Sequence, residues 1–398
     1  MSKTLNDITE NGLFCDGDWI EKKDQDPNGE VRLIQLADIG DGIFKDKSNR
    51  YITNEKAKEL NCTFLEKGDI LVARLPDPLG RACIFPLEGK YITAVDVAIV
   101  RIRNKGINPE YVMNLINSSM FRSQVKQFES GTTRKRISRK NLAKIVFDLP
   151  PFEEQERIVT HIEELFSELD KAVETLQTTK QQLAVYRQAV YSSVYSGIAE
   201  LKPITDFFEI TGGLTKNSKR SELPIKMPYL RVANVYYNRL DLSEIKNIGV
   251  TESEVERTLL EKNDLLFVEG NGSKSQIGRV AIWDGSIEQC LHQNHIIKGR
   301  PLGNMLPEYA LFYLISGGGR NQITDIAKST SGLYTLSTNK VKNLQIPVCN
   351  ITKQQQVINE IASRLSICES IEQTVDTALA QADAMRQSIL KQAFEGGF

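Results

Sequence analysis

The chain has 398 residues, of which 40% are hydrophobic and 25% are charged, a composition typical of a globular protein with two or three domains. No apolar run approaches the roughly 18 to 20 residues of a transmembrane helix, and the polar N-terminus is unlike a signal peptide. Six scattered cysteines without a CxxC pair argue against a disulfide framework or a structural zinc site, and they favour a cytoplasmic protein.

The net charge of −1 hides an uneven distribution of charge along the chain. Residues 1–150 and 201–350 each contain three more basic than acidic residues, whereas 151–200 contains five more acidic residues and 351–398 two more. The basic excess of the first block is concentrated in 101–150, with 11 basic and 3 acidic residues. Because acidic surfaces repel phosphate groups, we expect any polyanion to contact the basic blocks.

Two pairs of short strands are predicted, each flanking a loop. Runs rich in β-branched and apolar residues predict strands at 70–73 and 82–85, and again at 265–268 and 280–283. The second loop contains glycines followed by Lys274-Ser275, a combination found in nucleotide-binding loops. It lacks the GxxxxGK[ST] spacing, and a strand rather than a helix follows it, so we do not expect it to bind ATP.

A long helix is predicted after each pair of strands. Over 158–190, apolar residues recur at alternating steps of four and three, the heptad pattern of a coiled coil. The pattern recurs over 357–389, where Arg364 interrupts it. Prolines precede both patterns and a glycine follows each, as expected at helix ends. The first helix is predicted over 152–196, which corresponds to a length of about 67 Å.

These elements occur in the same order in both halves of the chain. The helix end YRQAVYSSVYSG, from Tyr186, matches MRQSILKQAFEGG, from Met385. Pro109-Glu110-Tyr111 matches Pro307-Glu308-Tyr309, and Gly80-Arg81 matches Gly278-Arg279. The offsets are all close to 198 residues, so one ancestral unit of that length occurs twice.

The repeat predicts an α+β protein. We expect mixed α/β domains at 1–150 and 198–348, and long helices at 151–197 and 349–398. The two helices are predicted to pack antiparallel as a coiled coil, to separate the domains and to relate the two halves by a pseudo-two-fold axis.

The doubled order of motifs resembles the specificity subunits of type I restriction–modification systems over essentially the whole chain. The resemblance lies in the helix starts LPPFEEQERIV (149–159) and IPVCNITKQQQVI (346–358), the two helix ends, DILVAR (69–74) and DLLFVEGNGSKSQIGRVA (264–281). The second helix start departs from the family pattern, because Val348-Cys349-Asn350-Ile351 replaces a second proline and an acidic residue.

The resemblance implies a non-catalytic protein that binds double-stranded DNA through two target-recognition domains, each reading one half of a split sequence. It implies that the helices fix the spacing of the half-sites and dock two methyltransferase subunits, and that translocating endonuclease subunits join for cleavage. S-adenosylmethionine, ATP and Mg²⁺ would be used by those partners, and this chain would bind no cofactor and no membrane.

The residue types in the basic blocks suit DNA binding independently of the resemblance. Lysine and arginine neutralise phosphates, while polar side chains read base edges. In the first loop, Arg74 and Asp77 are candidate base readers, because arginine pairs with guanine and aspartate accepts from the cytosine amino group. The run 134–140 and its counterpart 329–334 are interpreted as loops that bind the DNA backbone.

The full set of candidate DNA contacts adds matched positions at strand ends. It consists of Arg32, Asp38, Arg74, Asp77, Arg81, Thr133, Arg134, Arg136, Arg231, Asn234, Asn271, Ser273, Lys274, Ser275, Gln276, Arg279 and Tyr334. For the loops, the alternative interpretation is a plain surface hairpin or a solvated run of charge.

Two other functional classes remain as alternatives. Asp77, Glu88 and Lys90 satisfy the PD-x-ExK pattern of Mg²⁺-dependent nucleases, although the pattern is short and the second copy lacks it. A coiled-coil scaffold whose basic blocks bind RNA or protein would show the same charge distribution.

Two further motifs are incomplete. The tetrapeptide LPPF at 149–152 lacks the Asn or Asp with which amino-methyltransferases hold their target. Cys290, His292 and His295 have ligand-like spacing but no evident fourth zinc ligand.

Overall fold

The structure, a computed structural model, describes residues 2–75, 78–131, 134–270, 274, 276–327 and 334–395. The chain divides into two compact units, Met1–Leu176 with Thr377–Phe398, and Gln177–Asp376. Among the described residues, no helix combines the length and the apolar character needed to cross a membrane.

The first unit alternates short strands and helices. Its strands are β1 (Ser2–Lys3), β2 (Leu13–Asp16), β3 (Val31–Ile34), β4 (Arg50–Ile52), β5 (Ile70–Ala73), β6 (Ala82–Ile84), β7 (Tyr91–Thr93), β8 (Val97–Arg101) and β9 (Phe147–Asp148). Its short helices are α1 (Leu5–Ile8), α2 (Asn54–Glu59), α3 (Pro109–Asn117), α4 (Ser119–Gln127) and α5 (Arg139–Leu142). The long helix α6 (Phe152–Ser193) then continues into the second unit.

The second unit repeats this order with one additional hairpin. Its strands are β10 (Leu201–Pro203), β11 (Phe208–Gly212), β12 (Ile225–Leu230), β13 (Val235–Tyr236), β14 (Arg239–Leu240), β15 (Lys246–Val250), β16 (Leu265–Val268), β17 (Val280–Ile282), β18 (Leu291–His292), β19 (Ile296–Pro301) and β20 (Gln345–Pro347). Its short helices are α7 (Glu252–Thr258), α8 (Pro307–Ile315), α9 (Gly317–Ala327) and α10 (Thr338–Lys342), and the second long helix is α11 (Ile351–Phe394).

The sheets confirm the internal repeat. An antiparallel sheet has the order β2-β8-β5-β6 in the first unit and β11-β19-β16-β17 in the second. A mixed sheet has the order β4-β3-β7, with β3 and β7 parallel, and its counterpart is β15-β12-β18. Each strand of these sheets in the first unit therefore has the same neighbours as its counterpart in the second unit, as expected for a duplicated unit.

The apolar strands are buried on both faces. In β5, Ile70 and Val72 pack into a core with α3, while Leu71 and Ala73 pack into a second core on the opposite face. Strand β16 divides its four residues between two cores in the same way. This two-sided burial explains why both strands are continuous apolar runs. The predicted strands at 70–73 and 265–268 are confirmed, and those at 82–85 and 280–283 end one residue early.

The long helices are confirmed, with α6 ending at Ser193 rather than at residue 196. In the second unit, Lys180 pairs with Asp376 at 2.6 Å and Arg187 pairs with Glu372 at 2.6 Å. A later residue of α6 pairs with an earlier residue of α11, so the two helices are antiparallel, as predicted.

Each predicted heptad pattern combines two seams of apolar side chains along its helix, and in α11 only one of these two seams is buried throughout. In α11, every seventh residue from Ile361 to Ile389 is buried. The other seam lies partly in solvent, since Tyr186, Ile371 and Met385 are 47%, 40% and 53% exposed. Two helices that meet along one line cover one row of side chains, and the adjacent row lies at the margin of the contact.

Both long helices are anchored at their first turn by a buried glutamine. The Gln155 side chain accepts from the Asn108 N–H at 2.9 Å and donates to the Pro150 carbonyl at 2.8 Å. The Gln354 side chain accepts from the Leu306 N–H at 2.8 Å and donates to the Cys349 carbonyl at 2.9 Å. The second helix start therefore keeps this anchor despite its divergent sequence.

Candidate nucleic-acid interface

Each unit joins the two loops that the sequence marks as candidates. In the first unit, the Ile137 N–H donates to the Arg74 carbonyl at 3.1 Å, which joins the loop after β5 to the basic run. In the second unit, the Leu336 N–H donates to the Glu269 carbonyl at 2.6 Å, at the equivalent place. A backbone hydrogen bond thus joins segments more than 60 residues apart in sequence in each unit.

A buried ion pair holds the strand that leads into each loop. Asp69, the residue immediately before β5, receives two hydrogen bonds of 2.7 Å from Arg101 at the end of β8. Asp264 receives hydrogen bonds of 3.1 and 2.9 Å from Arg300 in β19. Both carboxylates are buried, so each guanidinium group is needed to compensate a desolvated charge.

Arg74 lies at the junction of the two loops rather than free in solvent. Its guanidinium group donates to the Val95 carbonyl and to the Ile137 carbonyl, the latter at 3.4 Å, and forms an ion pair with Asp16 at 3.3 Å. The Arg74 side chain is only 13% exposed. Asp16 also pairs with Arg139 at 3.3 Å, and this acidic residue of β2 has no sequence signal that would have identified it.

Asp38 is buried, and its carboxylate holds the following loop. It accepts from the N–H groups of Gln35, Lys47 and Ser48 at 2.6 to 2.8 Å and from the Ser48 hydroxyl. Burial alone would raise the pKa of Asp38, but these hydrogen bonds outweigh it and lower that pKa below its ordinary value.

Asn234, the counterpart of Asp38, is also buried but bonds with the opposite polarity. Its side-chain N–H groups donate to the carbonyls of Asp241 and Glu244 at 2.7 and 3.1 Å, and its oxygen accepts from the Arg231 N–H. The polar atoms of both side chains are therefore engaged in hydrogen bonds within the protein. The expected DNA contact at Asp38 and Asn234 is therefore not supported, because a buried side chain cannot face a base edge.

Arg32 and Arg231 hold the same two loops. Arg32 donates from Nε to the Ser48 carbonyl at 3.0 Å and pairs with Asp46. Arg231 donates to the Glu244 carbonyl at 3.1 Å and pairs with the Glu244 carboxylate at 3.1 Å. These two arginines are thus engaged in intramolecular bonds, and they stabilise loops next to the candidate surface.

Arg81 and Arg279 occupy matched positions at the far end of each candidate loop. Arg279 donates to the Val232 carbonyl at 3.1 Å and stacks over the Tyr236 ring at 5.1 Å. Neither arginine forms an ion pair with a carboxylate in the part of the chain that the structure describes, and the Nε atoms of both lack an acceptor there. Their charge is therefore not neutralised within these residues.

The remaining candidates are mostly exposed. Arg134, Arg136, Lys274 and Gln276 are exposed, and Tyr334 is half-buried. Five candidates lie outside the described residues: Asp77, Thr133, Asn271, Ser273 and Ser275.

The enzymatic alternatives receive no support from the geometry. Glu88 lies in the connection between β6 and β7 and pairs with Lys67 at 3.1 Å, so it does not project from a strand as a nuclease carboxylate would. Asp77, the first acidic residue of the PD-x-ExK pattern, lies outside the described residues.

The Cys290, His292 and His295 pattern is not a metal site. His292 is buried, with Nδ1 2.8 Å from the Ile296 carbonyl, and burial lowers its pKa to about 3. His295 instead contacts Glu269 at 2.9 Å. Within the described residues, no group of three or more His, Cys, Asp or Glu side chains is arranged to hold a metal.

Comparison with known proteins agrees with this arrangement. The family model described as "Type I restriction modification DNA specificity domain" matches the chain twice, over residues 1–183 and 199–381. The chain belongs to this family. The two matches correspond to the two copies of the repeat, so membership extends over nearly the whole chain.

Curated members of the family are distant in sequence. The type I restriction enzyme EcoKI specificity subunit of Escherichia coli K12 is 26% identical over 72% of this chain, and the StySPI specificity subunit of Salmonella potsdam is 24% identical over 73%. The alignments span 65% and 66% of the length of those two relatives, just under two thirds.

Solved structures share the fold over the full length. A chain from a study of complex assembly and conformational transition of a type I restriction–modification system has a TM-score of 0.72 and 14% identity, with coverage of 100% of this chain and 98% of the other. The HsdS subunit from Thermoanaerobacter tengcongensis has a TM-score of 0.53 and 15% identity, with coverage of 100% and 97%.

The opposite polarity of Asp38 and Asn234 makes a prediction about stability. Asp38→Asn should lower the free energy of unfolding by about 1 to 3 kcal/mol at pH 7, because an amide group would face backbone donors. Because the pKa of Asp38 is lowered in the folded state, its stabilisation is present above the ordinary value of 3.8 and is lost as pH falls through the folded-state value. Urea unfolding, measured at pH 7 and at decreasing pH, should show that the difference in free energy of unfolding between the unsubstituted protein and Asp38→Asn becomes smaller as pH falls.

The reverse substitution Asn234→Asp should also destabilise the protein, because a carboxylate would face two carbonyl oxygens. Glu55→Gln, at an exposed position of α2, is the control and should unfold like the unsubstituted protein. An unchanged unfolding midpoint for Asp38→Asn at pH 7 would contradict the structural role and return Asp38 to the candidate DNA contacts.

Proposed function

We propose that the chain is the DNA specificity subunit of a type I restriction–modification complex and that each unit reads one half of a split duplex sequence. The main support is that each unit joins two loops, rich in cations or polar groups, on a rigid strand frame. The family match supports the same function. The chain contributes no catalytic residue in this proposal, and S-adenosylmethionine, ATP and Mg²⁺ act in the partner subunits.

The exposed and the engaged candidates have different roles in this proposal. Arg134, Arg136 and Lys274 contact phosphates, because they are exposed cations next to the loop junctions. Arg74 positions the first junction, because its guanidinium group is used within the protein. The other members of the contact set are Arg81, Gln276 and Tyr334, with Asp77, Thr133, Asn271, Ser273 and Ser275 retained from the sequence as candidate readers of bases. Arg279 is buried, so it contributes positive charge beneath the surface rather than a direct contact.

The phosphate role of the basic run is testable in the complex with methyltransferase subunits. The double substitution Arg134→Gln with Arg136→Gln should weaken binding to the cognate and to a random duplex alike. It should also reduce the slope of log K against log salt concentration by about two, because about two counterions fewer are released. Fluorescence anisotropy over a range of salt concentrations measures both quantities.

The matched control is Lys171→Gln, which removes an exposed cation from the acidic helix α6 and should leave the slope unchanged. A double variant that retains the slope of the unsubstituted complex would remove the basic run from the interface. If the unsubstituted complex fails to prefer any duplex sequence, the proposed function itself is wrong.

We propose that the long helices set the spacing between the two half-sites. The support is that both helices run without a break from one compact unit into the other. Insertion of seven residues after Leu176 and seven after Asp376 would keep the packing within each unit, because the compact units divide at these points.

This insertion should lengthen the helices by about 10 Å, which corresponds to about three base pairs of duplex. Sequencing of methylated positions in cells that carry the variant should therefore show a longer gap between unchanged half-sites. Gln177→Glu, an exposed substitution that keeps the helix length, is the control. Altered letters within a half-site, or an unchanged gap, would contradict the spacing role.

We propose that the methyltransferase subunits dock on the helices, with the endonuclease subunits joining that complex. Tyr186 and Met385 occupy equivalent positions of the repeat, and both are exposed apolar side chains. Two equivalent apolar positions suit two copies of one partner.

Tyr186→Asp or Met385→Asp should each reduce the number of bound methyltransferase subunits from two to one, because a charge would be buried at one docking site. Native mass spectrometry of the reconstituted complex measures this stoichiometry. Gln181→Asp adds the same charge at an exposed polar position of α6 and should leave two subunits bound. Two bound subunits in both apolar variants would exclude these positions from the docking surface.

A further inference from the structure

The second unit carries a hairpin beside its candidate loop that sequence analysis did not single out. Strands β13 and β14 place Tyr236 opposite Arg239, and the turn residue Asn238 has a φ of 48°. The Asn238 N–H donates to the carbonyl of Val280, the first residue of β17, at 2.9 Å. The hairpin therefore packs against the strand that leaves the candidate loop.

Three arginines gather on the aromatic rings of this hairpin. The guanidinium carbon of Arg239 lies 4.6 Å from the Tyr236 ring centre, and that of Arg279 lies 5.1 Å from it. The Arg320 guanidinium carbon lies 5.0 Å from the Tyr237 ring centre. Arginine stacks readily on aromatic faces, so the rings hold the three cations in place.

This cluster forms no ion pair with the described residues, although Arg239 lies near enough to Asp241 to contribute, after the hydrogen bonds from Ser243, to the lowered pKa of that carboxyl group. None of Arg239, Arg279 and Arg320 forms an ion pair with a carboxylate among them. Arg279 is buried and Arg320 is half-buried, where its guanidinium group donates to the Gly278 carbonyl at 3.2 Å. Arg239 is exposed, so it is the member of the cluster that an external anion can reach, and the other two raise the positive potential around it.

The first unit has the same loop frame. Ile39 and Phe44 form the bridge that closes the loop, as the β13–β14 pair does in the second unit. Gly42 has a φ of 73°, and its N–H donates to the Ala82 carbonyl at 2.9 Å. Ala82 begins β6, so the loop is attached in the same way as the hairpin of the second unit.

The charges on this shared frame differ between the units. Asp41 forms an ion pair with Arg122, the counterpart of Arg320, so that cation is neutralised in the first unit. Ile43, at the position equivalent to Arg239, is 55% exposed and uncharged. The same place in the fold therefore carries three arginines without an ion pair to a described residue in the second unit, whereas the first unit has Arg81, the paired Arg122 and no cation at the position of Arg239.

We propose that Arg239 and its hairpin form a phosphate-binding element through which the second unit grips duplex DNA, and that the matching loop of the first unit has no such role. The inference rests on the proposed function and adds an asymmetry to it. A guanidinium group held on a ring has few conformations to lose when it binds a phosphate oxygen, and its contact releases a counterion whatever the base sequence.

The test compares the salt dependence of DNA binding by the full chain in complex with its methyltransferase subunits. Arg239→Gln should reduce the slope of log K against log salt concentration by about one, with an equal loss of affinity for the cognate and a random duplex. Arg239→Lys retains the charge and should retain the slope. Ile43→Gln in the first unit is the matched control and should change neither quantity.

A substitution in the first unit tests the explanation itself. Asp41→Asn removes the partner of Arg122 and should steepen the slope, because the first unit loses a negative charge and Arg122 is left without an ion pair among the described residues, like its counterpart Arg320 in the second unit. An unchanged slope for Arg239→Gln, in a complex that still prefers its cognate sequence, would overturn this inference and leave the proposed function standing.

A change in the recognised bases with Arg239→Gln would also overturn it, since it would make Arg239 a base reader. If the unsubstituted complex shows no sequence preference, the proposed function fails first and this inference fails with it.

Discussion

A buried arginine–aspartate pair is the constraint on which the candidate surface of each unit depends. In each unit an aspartate immediately before one strand pairs with an arginine near the end of the neighbouring strand. The pairs are Asp69 with Arg101 and Asp264 with Arg300. Removal of one partner from such a pair typically costs about 3 to 5 kcal/mol, because a desolvated charge is left alone. With the strand fixed at its root, the loop that follows it is free to differ between the two copies.

The loops differ between the units, but in each unit one buried polar side chain holds the loop through hydrogen bonds to its backbone. Asp38 gathers backbone donors and Asn234 gathers backbone acceptors from a loop at the same place in the fold. A single change of side-chain polarity accompanies a loop of different conformation. Recognition surfaces that must change their sequence preference while keeping their frame need this separation between a constant support and variable loops.

The helices show the same division between support and contact. One heptad row is buried and the charge pairs between Lys180 and Asp376 and between Arg187 and Glu372 fix the antiparallel register in the second unit. The adjacent row leaves Tyr186 and Met385 exposed. A helix pair that buried both rows would be more stable by itself, but it would have less apolar surface on which a partner could bind.

The sequence by itself determined the duplicated order, the α+β class, the strands at 70–73 and 265–268 and the antiparallel helices. The strands and the helices depend on short apolar runs and on periodicity, which are local properties of the chain, whereas the duplicated order follows from matching motifs about 198 residues apart. It also marked the two loops of each unit as candidates, because glycines and cations cluster there.

Only the tertiary structure decided which candidate side chains are available. Arg74 and Asp38 have the residue types of base readers, yet their partners Asp16, Val95 and Ser48 occupy them inside the protein. The cationic hairpin of Arg239 depends on Arg279 and Arg320, far away in sequence. Whether a charge is neutralised depends on contacts between distant segments, and the local pattern of a sequence carries no record of those contacts.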